Sequence, residues 1–423
     1  MKLMITTAAI ALAAVSAPAA AQMGYNAAPS ASPETAAPRA GTQDANAQPA
    51  QKPIKVSSKA AKAISELQAA VNKNDVANIP AKLAAAQAVM STPDDKYAVA
   101  ELQLKAAVTA KDNAATAAAI DAVANSGFID SADSSKLYAS LGTTLYNAKE
   151  FPQAAAAFQK AVTIDPRNGE GYSLLGEAHF AQGQKAEAAT DFQRAVQVDM
   201  ASGQKPDEAL LKRAVSVAYE AQSPIAIELG RDWASAYPSS DSWHNSIAIF
   251  RNMSHPDEEG TLDLLRLTQA VGAMTPGDYV TYAEAAADQS NYNEAQAVID
   301  AGIAAHVVDP TSSEFRDVVA GLKGKPKATA ADLEAAVKMS PNATNLLHIG
   351  DRYYGMGDYA KAAEIDRQVL TKPDADKDVA NLHLGMALAR AGDKAGATAA
   401  LNAVGGSRAE IAKFWLTYLQ QHA

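Results

Sequence analysis

The chain has 423 residues and contains no cysteine. This absence excludes disulfides, thiolate metal ligands, thiol catalysis and a lipid anchor on an N-terminal cysteine. Aromatic residues are also scarce at 6%, whereas apolar residues make up 48% of the chain. A core must therefore be built mainly from alanine and leucine, and side chains this small fill a core only where helices approach closely.

Long basic runs and long apolar runs beyond the N-terminus are missing as well. The net charge is −10 and the pI is near 5.3, and no segment concentrates lysine and arginine enough to follow a phosphate backbone. No later apolar stretch approaches the roughly 18 residues that indicate a membrane-spanning helix. We therefore expect no nucleic-acid partner and no transmembrane segment after signal cleavage.

The N-terminus has the composition of an export signal. Lys2 precedes an apolar run from Leu3 to Val15, and small residues follow as far as Ala21. This pattern predicts a signal peptide at 1–21 that is cleaved after Ala21. Residues 22–53 are rich in Ala, Pro and Gln, which predicts a disordered tether. Together these features predict an exported, periplasmic protein.

Catalytic motifs are also absent. We find no nucleophile elbow, no phosphate-binding loop and no dinucleotide fingerprint, and none of the seven histidines has a short metal-ligand spacing. His348 and His383 are interpreted as polar residues on helix faces, with a weak metal or pH-sensing pair as the alternative. The acidic residues are likewise interpreted as solvated. The basic segment 321–327 is interpreted as a solvated turn, with contact to an anion as the alternative. The sequence thus predicts a protein that is not an enzyme, with no catalytic, cofactor-binding or metal residue.

What the sequence does contain is a repeat. Residues 138–166 align with residues 172–200, at an offset of 34 residues. Glycine inside a helix costs about 1 kcal/mol relative to alanine, so its recurrence indicates a close approach of two helices. We predict that repeat-packing positions in this pair are Gly142, Ala154, Phe158, Gly176, Ala188 and Phe192.

A second pair lies near the C-terminus. Gly350 and Gly385 are 35 residues apart, and the corresponding alanines are Ala362 and Ala397. Asp366 occupies the position at which the first pair carries phenylalanine. We predict that Gly350, Ala362, Gly385 and Ala397 pack in the same way.

These residues resemble the tetratricopeptide repeat, a unit of two antiparallel helices in about 34 residues. The resemblance implies an all-α solenoid of about ten to eleven stacked helix pairs. With an Ala-rich leader, Tyr237-Pro238 and Trp243, the chain also resembles exported bacterial members of this family. The predicted segments after the tether are divergent repeats at 54–133, a clear pair at 134–200, divergent repeats at 201–340, a C-terminal pair at 341–405, and a capping helix at 406–423.

The resemblance implies that first helices line a concave, partner-binding face. The predicted partner-binding residues are Lys136, Thr143, Tyr146, Asn147, Glu170, Ser173, Glu177, Phe180, Asp351, Tyr354 and Arg390, and Leu347 and Met386 have equivalent places. Tyr146, Phe180 and Tyr354 are aromatic anchors suited to a peptide. Some relatives hold a C-terminal carboxylate with basic and amide side chains, but this sequence has Glu170 and Glu177 there.

These observations predict a scaffold that binds a protein or peptide partner in the cell envelope. The alternative is a ligand-binding or glycan-binding accessory module of an envelope complex. The sequence leaves the partner, the pathway and the oligomeric state open.

Overall fold

A computed structural model describes residues 53–422, and within this range the chain forms α-helices and no strand. The expected all-α fold is therefore confirmed. The predicted signal peptide and residues 22–52 of the predicted tether lie outside the described residues. Within that part of the chain, no helix combines the length and the apolar character needed to cross a membrane. The chain divides after Gln184 into two compact units, which we call unit 1 and unit 2.

Unit 1 contains seven described helices, each packed against the next in the chain. They are α1 (Ala61–Asn72), α2 (Ile79–Val89), α3 (Pro93–Ala110), α4 (Asn113–Ala124), α5 (Ser131–Asn147), α6 (Phe151–Ile164) and α7 (Gly169–Ala181).

Unit 2 contains fourteen described helices and one short 3-10 turn at Gly406–Arg408. The helices are α8 (Lys185–Ala201), α9 (Glu208–Glu220), α10 (Ile225–Ala236), α11 (Ser240–Ser254), α12 (Glu258–Ala270), α13 (Pro276–Asp288), α14 (Tyr292–Ala304), α15 (Arg316–Leu322), α16 (Ala330–Met339), α17 (Ala343–Gly355), α18 (Tyr359–Val369), α19 (Lys377–Ala391), α20 (Lys394–Asn402) and α21 (Ala409–Gln421).

Local sequence explains where most of these helices begin. Their first turns follow an Asp, Asn, Ser or Thr whose side chain accepts a hydrogen bond from a backbone N–H of that turn. Thr92 and Asp95 form a reciprocal capping box at α3, and Thr275 and Asp278 form another at α13. Asp95 also accepts hydrogen bonds from the backbone N–H and the hydroxyl of Ser57, at 2.7 and 2.8 Å, which ties the segment before α1 to α3.

The repeat glycines lie where two helices of one pair approach. A Cβ atom on Gly142 would lie 2.6 Å from the ring of Phe158, and one on Gly385 would lie 2.5 Å from Leu401. In these two pairs the second helix therefore places a side chain directly over the glycine of the first. All ten predicted repeat-packing residues are buried. In unit 1 they are Gly142, Ala154, Phe158 and Gly176, and in unit 2 they are Ala188, Phe192, Gly350, Ala362, Gly385 and Ala397.

The last helix of unit 2 lies inside that unit. Phe414 and Trp415 of α21 have no exposed surface, and α21 packs against α10, α12 and α19. Gln421 donates a hydrogen bond to the carbonyl of Ala234 at 2.7 Å and accepts one from the indole of Trp243 at 3.1 Å. The predicted capping helix thus joins the beginning and the end of unit 2.

Candidate partner-binding surfaces

In unit 1, the predicted partner-binding residues lie on α5 and α7, which pack side by side. Asn168, the N-cap of α7, donates a hydrogen bond to the hydroxyl of Ser135 at 2.8 Å. Ser135 in turn donates to the carbonyl of Ala161 in α6 at 2.9 Å. These two bonds fix the start of α7 against the α5–α6 pair.

These eight residues form what we call the first-helix surface of unit 1. Lys136, Asn147 and Glu170 are exposed, whereas Thr143, Tyr146, Ser173, Glu177 and Phe180 are half-buried. The ring of Tyr146 packs edge-on against Phe151, with ring centroids 5.2 Å apart. An aromatic ring held in this way offers contact area without a large loss of side-chain entropy on binding.

In unit 2 the structure places several of the predicted surface residues in the interior. Asp351 is 7% exposed, Tyr354 is 9% exposed and Met386 is fully buried. Arg390 and Leu347 are half-buried. The reason is that α19 packs against α17, α18, α20 and α21, so almost every side chain from Val379 to Ala389 is covered.

Beneath these positions lies a buried charge network centred on Arg266 of α12. The Arg266 guanidinium binds both carboxylate oxygens of Glu294 in α14, at 2.8 and 2.9 Å. It also donates to Asp351 in α17 at 3.0 Å and to Asp263 at 3.2 Å. Burial alone would lower the pKa of Arg266, but Glu294 and Asp351 raise it well above its ordinary value. Arg266 therefore remains charged and joins three helices.

His383 of α19 belongs to the same network. Its two ring nitrogens lie 3.2 Å from an oxygen of Asp263 and 3.1 Å from an oxygen of Asp351, off the direction of a hydrogen bond. Burial opposes the charged imidazolium, but these two carboxylates raise the pKa of His383 well above its usual value. His348 is exposed. The interpretation of both histidines as polar surface residues is therefore wrong for His383.

Asp366 of α18 occupies the repeat position at which the first pair carries Phe158 and Phe192. Its Oδ1 atom occupies the space over Gly350, 2.5 Å from where a Cβ atom would lie, and this oxygen has no hydrogen-bond partner in the described chain. Burial raises the pKa of Asp366 to about 8, with Asp351 adding to the effect and His383 opposing it. Asp366 is thus held as a neutral acid at neutral pH.

Sequence reasoning missed this network because it treated acidic residues as solvated. The structure shows that Asp263, Glu294, Asp351 and Asp366 are buried. One signal was available, since Asp263 and Arg266 interrupt an otherwise apolar run, Leu262-Asp-Leu-Leu-Arg-Leu267. Charged residues are almost never fully buried unless they are paired. Within residues 53–422, no group of histidines and acids is arranged to hold a metal ion.

A cavity of about 360 Å³ opens above the network. The structure brings two of the predicted residues, Tyr354 and Arg390, together in its wall. Gln269, Tyr282, Glu294 and Tyr359 also line it. The cavity therefore combines aromatic rings with a cation and a carboxylate.

Stacked antiparallel helix pairs that each contact the next pair are typical of helical-repeat proteins. Residues 139–209 match the family model of the tetratricopeptide repeat. This part of the chain therefore carries tetratricopeptide repeats, and proteins with this repeat bind protein partners. The resemblance seen in the sequence is thereby confirmed for the repeat family.

Solved structures of low sequence identity were also found. PilF of Pseudomonas aeruginosa is 13% identical, with 62% of this chain and 97% of that chain covered and a TM-score of 0.24. A tetratricopeptide-repeat protein of Parabacteroides merdae is 11% identical, with 78% and 100% covered and a TM-score of 0.26. Because these TM-scores are low, the family assignment depends on residues 139–209. No curated protein matches the chain.

Proposed function

We propose that this protein is a non-enzymatic scaffold of the cell envelope and that its first-helix surface in unit 1 binds an extended segment of a partner protein. The observation that carries this proposal is the side-by-side arrangement of α5 and α7. It brings Tyr146, Phe180 and the polar residues Thr143, Ser173 and Glu177 to one surface.

The composition of this surface favours a peptide as the ligand. Aromatic side chains supply most of the binding energy in many interfaces, and polar groups around them set the register of the bound chain. Lys136 and Glu170 are exposed at the same surface and carry opposite charges. A partner segment that complements both charges would bind in one direction only.

The envelope location is proposed from the sequence of the first 21 residues. An apolar run of this length after a single lysine, followed by small residues, is typical of a cleaved secretory signal. Mass spectrometry of the mature protein from fractionated cells tests this location. A chain that begins at Gln22 in the periplasmic fraction is the expected result, and a chain that retains Met1 in the cytoplasm would contradict it.

The partner-binding surface is tested by affinity purification from the native envelope. Truncation of a central interface aromatic costs about 2 kcal/mol or more, so a Tyr146→Ala, Phe180→Ala double variant should lose most of the partner that wild type captures. Gln159→Ala is a suitable control, because Gln159 is exposed on α6 outside the first-helix surface. Equal capture by the wild type and the double variant would exclude the first-helix surface.

A further inference from the structure

The cavity of unit 2 contains a cation that no carboxylate neutralises. Arg231, Arg266 and Arg408 each form an ion pair with at least one carboxylate. Arg390 instead donates one hydrogen bond, to the hydroxyl of Tyr359 at 3.1 Å, and its guanidinium lies 5.1 Å from the centre of that ring. Among residues 53–422 it has no acidic partner. A guanidinium has five N–H donors, so most of the donors of Arg390 are available.

Tyr354 adds a hydroxyl group to the same wall. Its ring is 9% exposed and is held between the ring of Tyr359, at 5.0 Å, and the guanidinium of Arg266, also at 5.0 Å. Its hydroxyl makes no hydrogen bond to any of residues 53–422. Because Tyr354 lines the cavity, a ligand in the cavity can approach this hydroxyl.

The acidic residue in the wall does not neutralise Arg390. Glu294 accepts hydrogen bonds from Arg266, from the hydroxyl of Tyr282 at 2.8 Å and from the amide of Asn291 at 2.6 Å. Both of its carboxylate oxygens are therefore engaged, and its charge is balanced by Arg266 on the buried side. Gln269, which has an uncharged side chain, also lines the cavity.

We propose that this cavity binds a carboxylate group, which Arg390 holds by paired hydrogen bonds and which the hydroxyl of Tyr354 contacts. A guanidinium matches a carboxylate in a planar, two-bond geometry. The volume of about 360 Å³ is that of a small-ligand site and accommodates one amino-acid residue or a small organic acid. The site does not depend on the first-helix surface of unit 1.

The test is an NMR titration of the full-length protein with two matched probes. Glutamate blocked at both ends carries a side-chain carboxylate, and glutamine blocked in the same way has nearly the same shape without the charge. We expect saturable shifts with blocked glutamate and none with blocked glutamine. A third probe, a short neutral peptide with a free C-terminus, shows whether a chain-terminal carboxylate binds better than a side-chain one. Absence of saturable binding by both carboxylate probes would overturn the proposal.

Three variants locate the bound group. Arg390→Met should weaken binding of the carboxylate probe by about tenfold or more, and Tyr354→Phe by about threefold to tenfold, since hydrogen bonds from a charged group are the stronger ones. Arg367→Met removes the same charge from an exposed position on α18 and should leave binding within about twofold of wild type. Unchanged binding by Arg390→Met would place the carboxylate elsewhere. Tyr354→Phe tests the site independently if Arg390→Met does not fold.

Discussion

At the scale of single residues, the repeats differ in the side chain that packs over the glycine of the first helix. Phe158 covers Gly142, Leu401 covers Gly385, and Asp366 covers Gly350. The first two fill the space with apolar atoms. Asp366 fills it with a carboxyl group whose Oδ1 has no hydrogen-bond partner in the described chain, so ionisation of this group would place a charge inside the packed contact.

Asp366→Asn should remove the pH dependence of stability that this ionisation causes. The pKa of Asp366 is about 8 in the folded protein and near 3.8 when unfolded, so the folded state keeps a proton that the unfolded state loses. The stability that this proton confers is complete below about pH 4 and is lost as the pH rises to about 8. The shift corresponds to roughly 6 kcal/mol as an upper limit. We therefore expect the variant to match wild type at pH 4 and to be several kcal/mol more stable at pH 8.

Denaturant unfolding at several pH values measures this difference. The groups that face Asp366, namely His383, Asp351 and Arg266, are present in both proteins and cancel in the comparison. Glu364→Gln is the control, because Glu364 is exposed on the same helix. A constant difference between Asp366→Asn and wild type across pH 4–8 would show that Asp366 is already ionised in the folded protein.

Gly385→Ala tests the close approach of α19 and α20. The new Cβ would lie 2.5 Å from Leu401, and overpacking of this kind costs about 1–3 kcal/mol. Gly277→Ala is the matched control in the same unit, because a Cβ on Gly277 meets no atom within 4 Å, and there alanine should be neutral or add up to about 1 kcal/mol. All three tryptophans, Trp233, Trp243 and Trp415, lie in unit 2, so their fluorescence reports this unfolding. Equal stability of the two variants would show that α19 and α20 do not approach this closely.

At the scale of helices, Arg266 joins elements that are far apart in the chain. Its partners Glu294 and Asp351 are 28 and 85 residues away, so one guanidinium connects α12 with α14 and α17. Near the other end of α12, Arg408 binds Asp257 at 2.6 and 2.9 Å and Glu259 at 3.0 Å. Charged contacts therefore hold α12 to the C-terminal third of the unit.

Arg266→Met should destabilise unit 2 by about 3–5 kcal/mol, because it leaves Glu294 buried without its cation. Adding Glu294→Leu should recover part of this loss, since an apolar pair of similar volume removes one uncompensated charge. A double-mutant cycle by denaturant unfolding measures the coupling between the two side chains. If the two losses simply add, Arg266 and Glu294 do not interact in solution.

At the scale of the whole molecule, the chain consists of two compact units with different cores. The core of unit 1 is formed by consecutive helices, with Leu141, Phe158 and Leu175 among its members. The largest core of unit 2 combines residues of α10 and α11 with those of α17 to α21. Unit 2 therefore depends on contacts between distant parts of the chain, which unit 1 does not require.

This difference predicts two unfolding transitions in Arg266→Met. Tryptophan fluorescence reports only unit 2, whereas far-ultraviolet circular dichroism reports the helices of both units. We expect the midpoint of the fluorescence transition to move to a lower denaturant concentration. The part of the circular dichroism signal that comes from unit 1 should be lost near its original midpoint. A single transition that moves as a whole by both probes would show that the two units unfold together.

The sequence alone determined the helix pairs and their spacing. The glycines at 142, 350 and 385 and the alanines at 154, 362 and 397 lie in helix pairs whose two helices pack against each other, and such contacts recur with the period of the repeat. A local, repeated contact leaves a pattern that can be read along the chain. All ten residues that the repeat pattern marks as packing positions are buried in the structure.

Only the tertiary structure decided which of the helix faces that do not pack within a repeat pair are covered by other helices. Thr143 and Glu177 stay partly accessible, whereas Asp351 and Met386, at equivalent places in later repeats, are buried. The sequence periods of 34 and 35 residues are nearly equal, but α21 returns to α10 and α12, and α19 becomes an interior helix. Contacts between residues 85 to 187 positions apart leave no periodic trace, because each involves two segments whose meeting depends on the path of the entire unit.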